Sequence, residues 1–127
     1  MARQTIHIDP VRHAAPIPMA AKVGNLLMTS GIMGADPATG ELAGSVEDQA
    51  RFCFANLQRV LEQAGGSLDD VVHLTVFVKD HSYRQAVNGP WLELFPDEND
   101  RPARHTIKAD LPGTMEVQLE VAAVIGG

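Results

Sequence analysis

Toward its C-terminal end the chain reads NDRPARHTIKADLPGTMEVQLEVAAVI, residues 99–125, and two charged residues there stand where chemistry can use them. Arg104 sits where a proline-containing loop runs into a strand-like segment. Glu120 interrupts the closing, alternating apolar strand. A guanidinium fork holds a carboxylate through two parallel hydrogen bonds, and a positioned carboxylate can act as general acid–base on water. The pair has the makings of a site that anchors an acid and activates a water. Plainer roles compete: Arg104 in a surface ion pair of little energetic consequence, Glu120 in a solvated ladder with Glu116 and Gln118, which share its face. Arg101 reads as the surface arginine of the two. Asn88 can hydrogen-bond a ligand or cap a broken helix. Ser30 and Gly31 end a strand, where a hydroxyl and a glycine allow close approach to a ligand or a plain exit into a loop.

The remaining reactive residues exclude more than they offer. His7, His13, His73, His81 and His105 show no metal-binding spacing and have no neighbouring cysteine, so no metal is expected. Alternation along its strand points His105 away from Arg104, toward a structural role. No glycine-rich phosphate loop or nucleophile elbow is present, so no cofactor is expected. Cys53 falls on an apolar helix stripe, and Met19, Met28 and Met33 read as adaptable core filling.

The 127 residues make one domain, 1–127, with 45% apolar and 20% charged residues, an ordinary globular balance. A net charge of −6 with scattered basic residues argues against a nucleic-acid partner. A lone cysteine, no signal-peptide pattern and no apolar run of membrane-spanning length together predict a cytoplasmic protein without a membrane partner.

These side chains need elements to hold them. QTIHID alternates and predicts a first strand, PVRHAAPIP an extended loop, and NLLMTSGIMG a buried strand ending at Ser30–Gly31. Ser45 and Asp48 form a capping-box pattern ahead of a helix whose apolar stripe is Ala50, Cys53, Phe54, Leu57, Val60, Leu61 and Ala64, ended by Gly65–Gly66. DDVVHLTVFVKD predicts a strand with Val72, Leu74, Val76 and Val78 on one face and Val71, His73, Thr75 and Phe77 on the other. HSYRQAVNGPWLELF predicts a second helix broken or kinked near Asn88 by Gly89–Pro90. ARHTIKAD and TMEVQLEVAAVI close the chain as two strands. The order β, β, α, β, α, β, β gives an α+β fold, one sheet with both helices on one face. The other face still carries Val71, Phe77, Val117 or Val124, and a partly apolar face left open predicts an oligomer.

With these elements in place the chain resembles, over nearly its whole length, the RidA/YjgF family of enamine/imine deaminases. The segments that carry the resemblance are KVGNLLMTSGIMGADPATGEL, NLQRVLEQAGGSLDDVVHLTVFVKD, AVN, PARHT and VQLEVAAV. It implies a chorismate-mutase-like homotrimer, three sheets forming a central barrel with ligand clefts between subunits. It implies that Arg104 binds the substrate carboxylate, that Glu120 helps place a water, and that Asn88 and Ser30–Gly31 line the cleft. Three positions depart from the family pattern. Ile17 replaces the tyrosine of the N-terminal segment, Thr106 replaces a common cysteine, and His105 replaces a small residue. Ile17 is expected to make the cleft more apolar and to favour hydrophobic imino acids. The function implied is cofactor-free hydrolysis of 2-imino acids and enamines to 2-keto acids and ammonia. The alternatives are a non-catalytic module of the same fold that binds a small carboxylate, and RNA cleavage, which the acidic composition opposes.

Overall fold

The computed structural model describes residues 2–126. Seven strands and two helices follow in the order β1 Gln4–Ile6, β2 Ala20–Val23, β3 Leu26–Thr29, β4 Ile32–Met33, α1 Val46–Gln63, β5 Val71–Val78, α2 Arg84–Leu94, β6 Ala103–Lys108 and β7 Val117–Val124. All seven strands join one sheet in the order β1-β2-β3-β7-β5-β6, with β4 also on β7. Only β5 and β6 run parallel; the other pairs are antiparallel. A parallel pair needs a crossover connection, and α2 supplies it. The fold is α+β, a mixed sheet with α1 and α2 packed together over it. The core beneath them includes Leu27, Leu74, Val76, Val78, Val117 and Leu119 from the sheet, all fully buried.

Helix α1 forms as its stripe dictates: Ala50, Cys53, Phe54, Leu57, Val60, Leu61 and Ala64 are all buried. The Ser45 hydroxyl accepts a hydrogen bond from the Asp48 amide, while the Asp48 side chain turns to Arg51. At the other end Gly65, at φ 83°, lets the Gly66 and Gly65 amides reach back to Leu61 and Glu62, at 2.8 and 3.0 Å. The stripe also hides two polar residues. Gln49 donates to the Ala43 and Thr114 carbonyls and accepts from the Glu116 amide, and Asn56 donates to the Met33 and Ala35 carbonyls. Gln49 ties α1 to the segments around Ala43 and Thr114–Glu116, and Asn56 ties it to the end of β4 and to Ala35, which bridges to Leu42.

Four expectations are corrected. An additional strand, β2, forms from Ala20–Val23, in a stretch too short to show a period, because it pairs with both β1 and β3. The strand predicted over NLLMTSGIMG divides into β3 and β4. The pairings Met28 with Ala122 and Ile32 with Leu119 leave Thr29, Ser30 and Gly31 opposite Glu120 and Val121, so the chain bulges there. A second irregularity lies between Val71 and His73, and it reverses the strand's parity: Val71 is buried with the core and Val72 is 55% exposed. Val117 likewise belongs to the helix side, because it pairs with buried Val78. Finally, of the kink or break expected near Asn88, the break is absent: α2 continues through Asn88 with Pro90 inside it. A proline clashes with the Cβ of a helical residue before it, and Gly89 has none. Buried Val87 and Trp91 anchor the helix on both sides of the junction.

Candidate functional site

Arg104 lies on β6, the edge strand of the sheet, in register with Leu74 of β5. Because Leu74 is core, Arg104 leans to the helix side and meets α2. Its Nη1 donates to Asn88 Oδ1 at 2.9 Å, its Nε donates to Thr106 Oγ1 at 3.1 Å, and its guanidinium carbon lies 5.1 Å from the centre of the Trp91 ring. Ring and hydroxyl fix the plane of the guanidinium. Among the described residues its charge has no carboxylate within ion-pair distance; the ion pairs there are Arg12–Asp9 and Arg51–Asp48. Partial burial, and behind it the positive charge of nearby Arg84, holds the Arg104 pKa below the usual guanidinium value. Both effects are those of a cation that lacks an anion.

Glu120 is exposed and in register with Thr75, so it occupies the opposite face of the sheet, the one without helices. Beside it runs the bulge that contains Ser30 and Gly31. The Val121 amide donates to Thr29 Oγ1 at 2.9 Å, and Gly31 closes against the Gln118 side chain, which shares the face of Glu120. Ser30 holds the turn through its own amide, which donates to the Met19 carbonyl at 2.8 Å. His105, also in register with Thr75, lies on this face too, turned away from Arg104 as alternation predicts.

The structure therefore brings the expected site residues together in two groups, not one. Arg104, Asn88 and Thr106 converge under α2; Glu120, Ser30 and Gly31 converge on the open face. One full strand, β5, and the thickness of the sheet separate them. A single cleft holding both Arg104 and Glu120 is not formed within one chain. Ile17 falls in neither group: it is 47% exposed and lines an open groove of about 440 Å³ with His7, Asp9, Arg12 and His13, a more polar setting than its own side chain suggests. Sequence reasoning missed Trp91 and Arg84. Arg84, Asn88 and Trp91 follow one another at helical spacing, but an expected break at Asn88 hid that signal. Among the described residues no three metal-ligating side chains cluster. No helix among the described residues is long and apolar enough to cross a membrane. Cys53 is buried in the core, which pushes its thiol pKa up and leaves it unreactive.

Comparison with known proteins adds identity to this geometry. The family model described as endoribonuclease L-PSP matches residues 10–125. A RutC family protein of Haemophilus influenzae is 37% identical over 128 residues, covering 98% of both chains. The 2-iminobutanoate/2-iminopropanoate deaminase of Escherichia coli is 35% identical over 111 residues, covering 86% of this chain and 87% of that one. Among solved structures, RidA from an Antarctic Psychrobacter superposes with a TM-score of 0.87 at 34% identity, covering 96% of this chain and 99% of that one. Matched end to end by sequence and by fold, the chain belongs to the endoribonuclease L-PSP family, the RidA/YjgF family that its segments resemble.

Proposed function

We propose that the chain hydrolyses 2-imino acids and their enamine tautomers to 2-keto acids and ammonia, in clefts completed by two copies of the chain within a homotrimer. The observation that carries this reading is the state of Arg104. Asn88 and Thr106 take two of its N–H donors and Trp91 fixes its plane, yet among the described residues no carboxylate pairs with it. A guanidinium has five N–H donors, so an unfilled edge remains for a substrate carboxylate. The deaminase name of the Escherichia coli relative agrees with such a substrate.

In the reaction the anchored carboxylate places the C=N carbon beside Glu120 of a second copy. Glu120 accepts a proton from water as its oxygen adds to that carbon, and the proton passes to nitrogen. The hydroxyl proton of the tetrahedral carbinolamine then moves to the amino nitrogen, the C–N bond breaks to release ammonia, and a carbonyl is left. Ser30 and Gly31, in the bulge beside Glu120, offer a hydroxyl and a close backbone approach to the same substrate. Thr106 holds Arg104 and serves as no nucleophile. Cleavage of RNA, which the family description names, finds little support in a chain of net charge −6.

The test generates 2-imino acids with an amino-acid oxidase in the presence of semicarbazide and follows the trapped product. Wild type is expected to outcompete the trap and Arg104→Ala to fail. If wild type leaves the trapped yield unchanged for every side chain tried, deamination is wrong and the fold serves to bind a small carboxylate.

A further inference from the structure

Arg104 is not the only cation at its site. Arg84 opens α2, one turn before Asn88 and two before Trp91, so all three project from one side of the helix. That side meets Arg104, because Asn88 Oδ1 accepts from Arg104 Nη1 at 2.9 Å and the Trp91 ring lies 5.1 Å from the Arg104 guanidinium carbon. Arg84 is exposed, and no carboxylate among the described residues pairs with it or with Arg104. The positive field of Arg84 is felt at Arg104 and disfavours its charge there. Two guanidinium groups beside one site, neither with a counter-ion, leave two unmet charges.

We propose that the Arg104 site takes dianionic ligands, 2-iminodicarboxylates, with Arg104 on the carboxylate next to the imine and Arg84 on the distal one. One helical turn, about 5.4 Å, is of the order of the carboxyl spacing in a four- or five-carbon diacid. The aliphatic stretch between the two acids then passes over the Trp91 side of α2. As a statement of substrate class this rests on the deaminase reading; as a statement of ligand charge it stands on the two arginines alone. It replaces the expectation from Ile17 of a preference for hydrophobic side chains.

The experiment has a kinetic and a binding arm. In the first, 2-iminosuccinate and 2-iminobutanoate are generated from their amino acids under the semicarbazide trap, and kcat/KM is compared for wild type, Arg84→Met and Arg84→Lys. A wild-type preference for the diacid of about tenfold or more is expected, the size of one charge-assisted contact. Arg84→Met should collapse that ratio and Arg84→Lys should restore part of it. In the second arm, calorimetry compares 2-oxoglutarate with 2-oxobutanoate, expecting the same order of affinities and the same response to Arg84→Met. Diacid binding through Arg84 without turnover of either imine upholds the ligand class and overturns deamination. Turnover of 2-iminobutanoate at least as efficient as that of 2-iminosuccinate, or an Arg84→Met effect equal on both, overturns the dianionic ligand and leaves deamination standing. Equal or absent binding of the two keto acids overturns it as well.

Discussion

A guanidinium at the edge of a sheet is ordinarily solvated and inert, and Arg104 differs because three neighbours fix it. Asn88 and Thr106 accept two of its N–H groups, and Trp91 lies under its plane. Lysine keeps the charge but has neither the fork nor the flat face. Arg104→Lys is therefore expected to lose on the order of a hundredfold in kcat/KM, the scale of a charge-assisted hydrogen bond lost with its geometry, and Arg104→Ala more; the imine trap reads both. Asp80 acts at the same scale, holding the turn that leads into α2. Its carboxylate accepts from the Ser82 amide at 2.8 Å and the Ser82 hydroxyl at 2.7 Å, which lowers its pKa. A pKa lower in the folded than in the unfolded chain contributes stability above the unfolded value, about 3.9, and loses it as pH falls through the folded one. A carboxyl NMR titration should give Asp80 a midpoint below that reference, and Ser82→Ala should return it toward the reference. Arg104, Asn88 and Thr106 became site candidates chiefly through the resemblance of PARHT and AVN to the family's segments, since position alone left Arg104 open to a surface ion pair and Asn88 to a helix cap. Arg84 did not, since one exposed arginine at a helix start carries no signal until its neighbour across the layer is known.

The elements are positioned by polar side chains as much as by the apolar stripe. Gln49 alone satisfies the Ala43 and Thr114 carbonyls and the Glu116 amide, all in segments outside the sheet. Gly34 packs so closely on α1 that an added Cβ would collide with the backbone of Gln49. Gly34→Ala must push α1 off β4, at a cost of about 3 kcal/mol, whereas Gly65→Ala must adopt φ 83° in open space, at about 1 kcal/mol. Chemical denaturation of the two variants should rank them in that order. Periodicity gave α1 its length and face, yet Gln49 and Asn56 sat unremarked on the buried side because hydropathy scores them polar. The two sheet irregularities, at Val71–His73 and at Ser30–Gly31, were invisible for a related reason. A bulge is set by the partner strand's register, and one sequence read alone contains no partner.

At the scale of the whole molecule, a sheet with helices on one side leaves the other bare. Met28 is 56% exposed and Leu26 48%, and both are in register with the residues of β7 that share the face of Glu120. Such a surface favours self-association, and a trimer that covers it would bring the Arg104 edge of one copy toward the Glu120 face of the next. A charge at the centre of that surface would oppose assembly. Met28→Asp should sediment as a smaller species, retain its circular dichroism and lose imine hydrolysis. Amphipathic reading anticipated an open apolar face, although it named Val71 and Val117, which the structure buries. It could not reveal that Arg104 and Glu120 lie on opposite faces, since that depends on how three strands align. The most direct measurement is complementation. Arg104→Ala and Glu120→Ala chains are purified separately and after co-expression, and each preparation is put to the imine trap. If each cleft takes its arginine from one copy and its acid from another, both parents are inactive. Random mixed assemblies then recover about a quarter of wild-type activity, from interfaces that pair the two intact residues. A co-expressed preparation that assembles normally and stays as inactive as its parents would contradict a site shared between copies.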